Sequence, residues 1–149
     1  MQNKIDVQNM YKAILQFPDN IKEAIKLVSN FSVKNKYKKI NNVVVSGMGG
    51  SAIGADIVSA IGKESIEIPF FISRDYKLPN WVNQNTLVIC SSYSGNTEET
   101  ISCFDDAKVK RAQICGITTG GILEKKLKSH NMDYIIIPSG LQPRAALAF

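Results

Sequence analysis

Leu87-Val88-Ile89-Cys90-Ser91-Ser92-Tyr93-Ser94-Gly95-Asn96-Thr97-Glu98-Glu99-Thr100 is the stretch from which the rest of the chain is best read. With Thr86 ahead of it, the run to Ser91 is short, apolar and β-branched, the pattern of a strand buried on both faces. The next residues set Ser92, Ser94 and Thr97 around Gly95 and lead into a helical pattern from Glu98. A strand that turns through glycine into a helix aims backbone N–H groups and the positive end of a helix dipole at one small volume. That volume suits a dianion such as phosphate. The hydroxyls add donors that need no altered pKa. Ser, Gly, Asn and Thr are also ordinary turn residues, and Asn96 or Thr97 can serve as a helix cap. Three hydroxyls within six residues after a buried strand favour the phosphate site.

Strands and helices alternate around this stretch. Ile40–Ser46 reads as the first strand, followed by Gly47-Met48-Gly49-Gly50-Ser51 and a helix through Ile61 that Gly62 ends. Ile68–Ser73 reads as a second strand, kept short or at an edge by Pro69. After the strand Thr86–Ser91 come a helix over Glu98–Lys108, a strand over Gln113–Thr118, a helix over Ile122–Ser129 and a strand over Tyr134–Pro138. Such alternation predicts an α/β fold, a doubly wound parallel sheet covered by helices on both faces. Ahead of it, Val7–Gln16 is a candidate helix with Asp6 as N-cap, closed by Pro18. A second helix starts at about Ile21, with Asn20 and Glu23 spaced as a capping box and Ile21, Ala24, Ile25, Val28 and Phe31 on one apolar face. Both read as packing helices without chemistry, which divides the chain into N-terminal helices at 1–35 and an α/β domain at 36–149.

Length and composition bound the rest. At 149 residues, 44% hydrophobic and 21% charged, the chain falls in the range of one soluble globular domain. No run approaches the ~20 apolar residues of a membrane span, and Met1–Asp6 lacks the apolar core of a signal peptide. No membrane partner is expected. Cys90, Cys103 and Cys115 form no CxxC pair, and two of them lie inside strand-like runs, so they read as buried thiols of a cytoplasmic protein. No metal or redox cofactor is implied. A formal net charge of +5 suits an anionic ligand. The lysine clusters at 34–39 and 125–128 read as a solvated linker and a helix's outer face, without the aromatic series of a nucleic-acid platform.

In an open doubly wound sheet, ligands bind at the carboxyl ends of the strands where the winding reverses. With the flavodoxin-like order 2-1-3-4-5 that point lies between the first and third strands, where Gly47–Ser51 and Ser92–Thr97 form the two Gly/Ser-rich loops. Gly49 and Gly50 let backbone N–H groups approach an anion without a Cβ in the way, and Ser51 sits at the next helix start. Gly47-x-Gly49-x-x-Ala52 also satisfies the dinucleotide fingerprint of an NAD(P)-binding domain. That reading asks for an acidic residue at the end of the second strand, roughly 20 residues on. Asp75 comes late and follows Arg74, and the Ser92–Thr97 loop is left without a purpose.

The chain closes on Gly140-Leu141-Gln142-Pro143-Arg144-Ala145-Ala146-Leu147-Ala148-Phe149. Pro143 suits a first helical turn, and the apolar helix formers after it predict a helix starting there with Ala145, Leu147, Ala148 and Phe149 exposed. Ser92-x-Ser94-Gly95-x-Thr97 resembles the phosphosugar loop of sugar isomerase (SIS) domains. Together with Gly47–Gly54 and Pro143-Arg144-Ala145-Ala146, it gives the chain a resemblance to the bifunctional phosphoglucose/phosphomannose isomerases over essentially its whole length. Ala55 stands where many relatives have Gly. The resemblance implies a SIS-type five-stranded sheet, a homodimer, and interconversion of glucose 6-phosphate or mannose 6-phosphate with fructose 6-phosphate through an enediolate. It further implies that Ser92, Ser94 and Thr97 hold the phosphate, that Gly49, Gly50 and Ser51 line the sugar, and that Arg144 stabilises the enediolate. A guanidinium suits that role, since it stays charged and offers forked donors to a developing oxyanion. A cation in the first turn of a helix gains nothing from the dipole, which favours an anionic partner for Arg144 over a bland surface role.

Proton transfer between C1 and C2 also needs a general base. Glu98 and Glu99 are nearest in sequence, but first-turn glutamates commonly complement a helix dipole, and they would repel a bound phosphate. Asp56 lies about one turn into its helix, and His130, the single histidine, follows a helix as a cap would. None makes a convincing base. In the resembled family the base Glu, a ring-opening His from the neighbouring subunit and a further Lys belong to a second SIS-type domain, to which nothing here corresponds. The chain therefore reads as the N-terminal half of an isomerase. The alternative is a non-catalytic SIS phosphosugar sensor, which would not need Arg144 in its Pro143 and Ala145-Ala146 setting.

Overall fold

The computed structural model describes Asp6, Val7, residues 9–142 and residues 145–149. The β-branched runs form strands β1 (Asn42–Ser46), β2 (Phe70–Ser73), β3 (Thr86–Ser92), β4 (Gln113–Thr118) and β5 (Asp133–Ile136). They make one sheet in the order β2-β1-β3-β4-β5, every pair parallel. Helices α1 (Met10–Leu15) and α2 (Phe17–Ser29) precede the sheet, and α3 (Gly49–Ile61), α4 (Glu98–Val109) and α5 (Gly121–Ser129) come after β1, β3 and β4. Gly62, expected to end α3, does so at φ −81°, leading into a short 3₁₀ turn over Gly62–Glu64.

β3 extends beyond β1. Its Cys90 pairs with Ser46, the last residue of β1, while Ser91 and Ser92 go on to pair with Ile117 and Thr118 of β4. The extra two residues carry the start of the hydroxyl loop past the end of β1.

The two faces differ. Thr86, Val88, Cys90 and Ser92 alternate onto the side covered by α4 and α5, where Phe104, Leu123 and Leu127 are fully buried. Burying a side chain of that size is worth about 1.5–3 kcal/mol, so this face anchors the domain. On the opposite face α3 buries Ala52 and Ala55. Between α3 and residues 146–149 an apolar cavity of about 300 Å³ lies over Val45, Ile89 and Ile117. The expectation of helices on both faces thus holds fully on one side and partly on the other.

The N-terminal helices depart further from the sequence reading. Asp6 does not occupy the N-cap position of α1, which belongs to Asn9 at φ 52°. Its carboxylate instead accepts the N–H groups of Met10 and Tyr11 at 2.7 and 2.9 Å, satisfying the same orphan donors from further back. Pro18 lies in the first turn of α2, where its missing N–H costs nothing, so it opens the second helix. Asn20 and Glu23 consequently fall inside α2 and form no capping box. Neither helix fully buries a described residue, and Ile25 and Val28 are each 61% exposed, so much of their apolar face stays open.

The predicted C-terminal helix is also absent from the described residues. Ala145 N–H donates to the Gln142 carbonyl and Phe149 N–H to that of Ala146, which are i→i−3 turns. Pro143 and Arg144 lie outside the described residues. Ala146 is buried and Leu147, Ala148 and Phe149 are half-buried against the cavity, so the expected exposed patch is folded inward. No described helix is long and apolar enough to cross a membrane.

Candidate functional site

Each of the first four strands ends at the same sheet edge, and three of the loops there interlock. In the loop between β3 and α4, the Ser92 hydroxyl is buried and lies 2.8 Å from the Thr97 hydroxyl. It also accepts the Gly95 N–H at 3.1 Å, which the Ser92 carbonyl shares at the same distance. Gly95 has φ +68°, and a Cβ there would sit 1.8 Å from the Gly120 carbonyl oxygen. No other residue fits. Ser94 stands at the exposed apex, its Oγ accepting the Asn96 N–H at 3.2 Å and its O–H left to donate outward.

Thr97 is the N-cap residue of α4, yet it makes no side-chain capping bond, because its hydroxyl is turned onto Ser92. The reading of Thr97 as a mere cap is therefore set aside. The first-turn N–H groups of α4 are left without the acceptor a cap would supply, next to two converging hydroxyls. Such an open helix N-terminus is chemically suited to an anion.

The loop between β1 and α3 meets this one through Ser51. Its Oγ accepts the Tyr93 N–H at 3.1 Å. Gly49 and Gly50 are the first residues of α3, and Gly49 has φ +50°, a conformation that favours glycine. α3 likewise has no side-chain cap, so a second open helix N-terminus faces the same edge. A Cβ on Gly47 would come within 3.0 Å of the Ser91 carbonyl, which is why the two loops can approach so closely.

Sequence reasoning counted two such loops and missed the third, Thr118-Thr119-Gly120-Gly121, between β4 and α5. Thr119 donates both its N–H and its hydroxyl to the Tyr93 carbonyl, at 3.1 and 2.7 Å. Leu123 N–H donates to the Gly95 carbonyl at 2.9 Å, and Ile122 N–H to Asn96 Oδ1 at 3.1 Å. Asn96 therefore caps α5 instead of its own helix. The available signal was a Thr-Thr-Gly-Gly run at a strand-to-helix junction. Its part is to buttress the hydroxyl loop from behind.

Of the predicted site residues, Ser51, Ser92, Ser94 and Thr97 come together with Gly49 and Gly50, and Arg144 lies outside the described residues. The candidate bases are otherwise engaged. Glu99, with Glu98, lies beside Tyr76 and raises its phenol pKa, Glu99 most strongly. Asp56 pairs with Arg74. His130 stands at the far end of α5, on the opposite edge of the sheet, against Lys108 and the Ser129 hydroxyl. Asp75, the acidic residue a dinucleotide site would use, accepts the neighbouring Tyr76 N–H at 2.6 Å. Burial raises the thiol pKa of Cys90 and Cys103, and pushes Cys115 up to about 12 with help from Asp133, so none is a reactive thiolate at neutral pH. Among the described residues no cluster of His, Cys, Asp or Glu could hold a metal ion.

An open five-stranded parallel sheet with a Ser/Thr loop at its switch point makes this a doubly wound α/β domain with a candidate anion site where the winding reverses. No family model matches the sequence. A tagatose-6-phosphate ketose/aldose isomerase from Escherichia coli shares the fold at TM-score 0.65 and 18% identity, over 92% of this chain and 44% of that one. In sequence, the bifunctional phosphoglucose/phosphomannose isomerase of Caldicellulosiruptor bescii is 47% identical over 140 residues, 94% of this chain and 41% of that protein. The enzyme of the same name from Thermoplasma volcanium is 43% identical over 138 residues, 91% of this chain and 42% of that protein. The chain is a SIS domain homologous to part of the bifunctional phosphoglucose/phosphomannose isomerases. It spans about two fifths of the length of these relatives.

Proposed function

We propose that this chain is the phosphosugar-binding N-terminal half of an aldose–ketose isomerase that interconverts glucose 6-phosphate or mannose 6-phosphate with fructose 6-phosphate through an enediolate. The observation that carries the reading is the Ser92–Thr97 hydroxyl pair at the uncapped N-terminus of α4. A sugar 6-phosphate seats its dianion on Ser92, Ser94, Thr97 and the first-turn N–H groups. Its ring extends toward Gly49, Gly50 and Ser51. Arg144 faces the C1 and C2 oxygens, where its forked donors stabilise charge as it develops. Residues 36–149 form the SIS domain and residues 1–35 its N-terminal helices. A second SIS-type domain, for which the relatives' greater length leaves room, supplies the base, and the whole works as a cytoplasmic homodimer. No metal or redox group is needed for a proton shift between adjacent carbons.

Titration calorimetry with fructose 6-phosphate tests the seat. Hydrogen bonds to a charged group contribute ~1.5–3 kcal/mol each, so Ser94→Ala should weaken binding roughly tenfold or more. Unchanged affinity in that variant, or tighter binding of NAD(P) than of sugar phosphate, overturns the assignment.

A further inference from the structure

Thr119 carries none of the hydroxyls assigned to the phosphate, yet both of its donors converge on one atom. Its N–H and its hydroxyl reach the Tyr93 carbonyl at 3.1 and 2.7 Å, so both lone pairs of that oxygen are engaged from the β4 side. β4 and β1 flank β3 on opposite sides. The Tyr93–Ser94 peptide is trans and planar, which sets its N–H antiparallel to its C=O. With the carbonyl tied toward β4, the Ser94 N–H points toward β1, into the crevice that the Ser92–Thr97 loop shares with Gly47–Ser51. The Tyr93 N–H points the same way, to Ser51 Oγ at 3.1 Å. Two successive N–H groups on one side of the chain form the kind of concavity that receives an anion. Among the described residues Ser51 takes the first of these groups and no acceptor takes the second.

We propose that Thr119 is a positioning residue: by holding the Tyr93 carbonyl it aims the Ser94 N–H at the phosphate, adding a backbone donor to the Ser92, Ser94 and Thr97 hydroxyls. The proposal deepens the isomerase reading and rests on its phosphate seat. Ser94 stands exposed at the loop apex, where an untethered peptide turns over to water. Fixing that peptide on folding removes the ordering cost from the binding step. Thr118 does not share the task. Its hydroxyl is spent within its own loop, accepting the Gly120 N–H at 3.2 Å and donating to the Gly120 carbonyl at 2.9 Å, which holds the turn that presents Thr119.

Thr119→Val keeps the shape and the backbone N–H bond and deletes the hydroxyl, and Thr119→Ser restores it. Titration calorimetry on the 149-residue chain with inorganic phosphate and with fructose 6-phosphate should show both ligands held about three- to tenfold more weakly by Thr119→Val, the loss that one neutral hydrogen bond supports. Thr119→Ser should recover wild-type affinity to within about twofold. In amide-proton spectra, adding phosphate should move the Ser94 resonance downfield in the wild type and by less in Thr119→Val. A wild type that binds phosphate with its Ser94 amide unmoved, or a folded Thr119→Val chain of unchanged affinity, would overturn the positioning role and leave the hydroxyl seat standing. Wild-type chain that binds neither ligand would instead sink the isomerase reading itself, and this proposal with it.

Discussion

Ser92 and Ser94 are two residues apart, and the strand-to-loop change between them gives them different work. Ser92 is the last residue of β3, 1% exposed, with its hydroxyl committed to Thr97 and to the Gly95 N–H. Ser94 is exposed at the apex and makes one local turn bond. Removing the Ser92 hydroxyl deprives the half-buried Thr97 hydroxyl of its partner and leaves the Gly95 N–H with the Ser92 carbonyl alone, which costs about 0.5–1.5 kcal/mol. Ser92→Ala should therefore lower stability in urea melts by that amount as well as weaken phosphate binding. Ser94→Ala should weaken binding with no measurable loss of stability, and equal melts for the two variants would contradict this division. The sequence shows three hydroxyls near a glycine, which is enough to propose the seat. It does not show that Thr97 turns from capping its helix to face Ser92, or that Asn96 caps α5. Those choices depend on Gly120 and Gly121 approaching the loop, a tertiary contact that local propensity does not encode.

At the level of elements, periodicity located every strand and the helices after β1, β3 and β4, because each buries a face and burial imposes the pattern. Strand ends shifted by a residue or two where pairing decided them, as when β5 began at Asp133 opposite Cys115. That first residue of β5 does more than start a strand. Asp133 is 5% exposed, and its carboxylate accepts the N–H groups of Lys34 and Asn35 at 3.0 Å each, strapping the linker beyond α2 to the sheet. Burial works to raise its pKa, but these N–H donors outweigh it, and the pKa is lowered below the ordinary 3.8. A carboxyl with a lowered folded pKa contributes stability above its unfolded value and loses it as pH falls through the folded one. Asp133→Ala should cost about 2 kcal/mol at neutral pH, the scale of hydrogen bonds to a charged group. The gap between variant and wild type should close once the pH falls well below 3.8, in melts monitored by circular dichroism. A gap that persists unchanged at low pH would mean the strap does not depend on the charge. The amphipathic pattern of α2 could not foretell its exposure, since a sequence shows that a face is apolar without showing what covers it.

On the scale of the whole molecule, one run of open apolar surface lies on the N-terminal helices, besides exposed residues elsewhere such as Ile61 and Val109. Tyr11, Ile14, Leu15, Ile25 and Val28 are 61–69% exposed, whereas the C-terminal residues expected to form such a patch fold over the cavity. Exposed apolar area of this kind favours self-association. Sedimentation should show association that rises with concentration and is weakened by Ile25→Glu with Val28→Glu; a strictly monomeric wild type would count against it. Turnover is set at the same scale. The described residues supply the proposed phosphate seat, but Glu98, Glu99, Asp56 and His130 are turned to Tyr76, Arg74 and the far edge of the sheet. A positioned base contributes about 10²–10⁴-fold, and enclosing the site against water adds to that. This chain should accordingly bind fructose 6-phosphate and isomerise it negligibly, while a longer protein carrying the remainder found in its relatives should be active. In that longer protein Arg144→Lys should lower kcat more than it raises KM, because a forked donor to the enediolate acts mainly in the transition state. Robust glucose 6-phosphate formation by the 149-residue chain in a coupled assay would refute the division of labour and return Glu98, Glu99 or His130 to candidacy as the base.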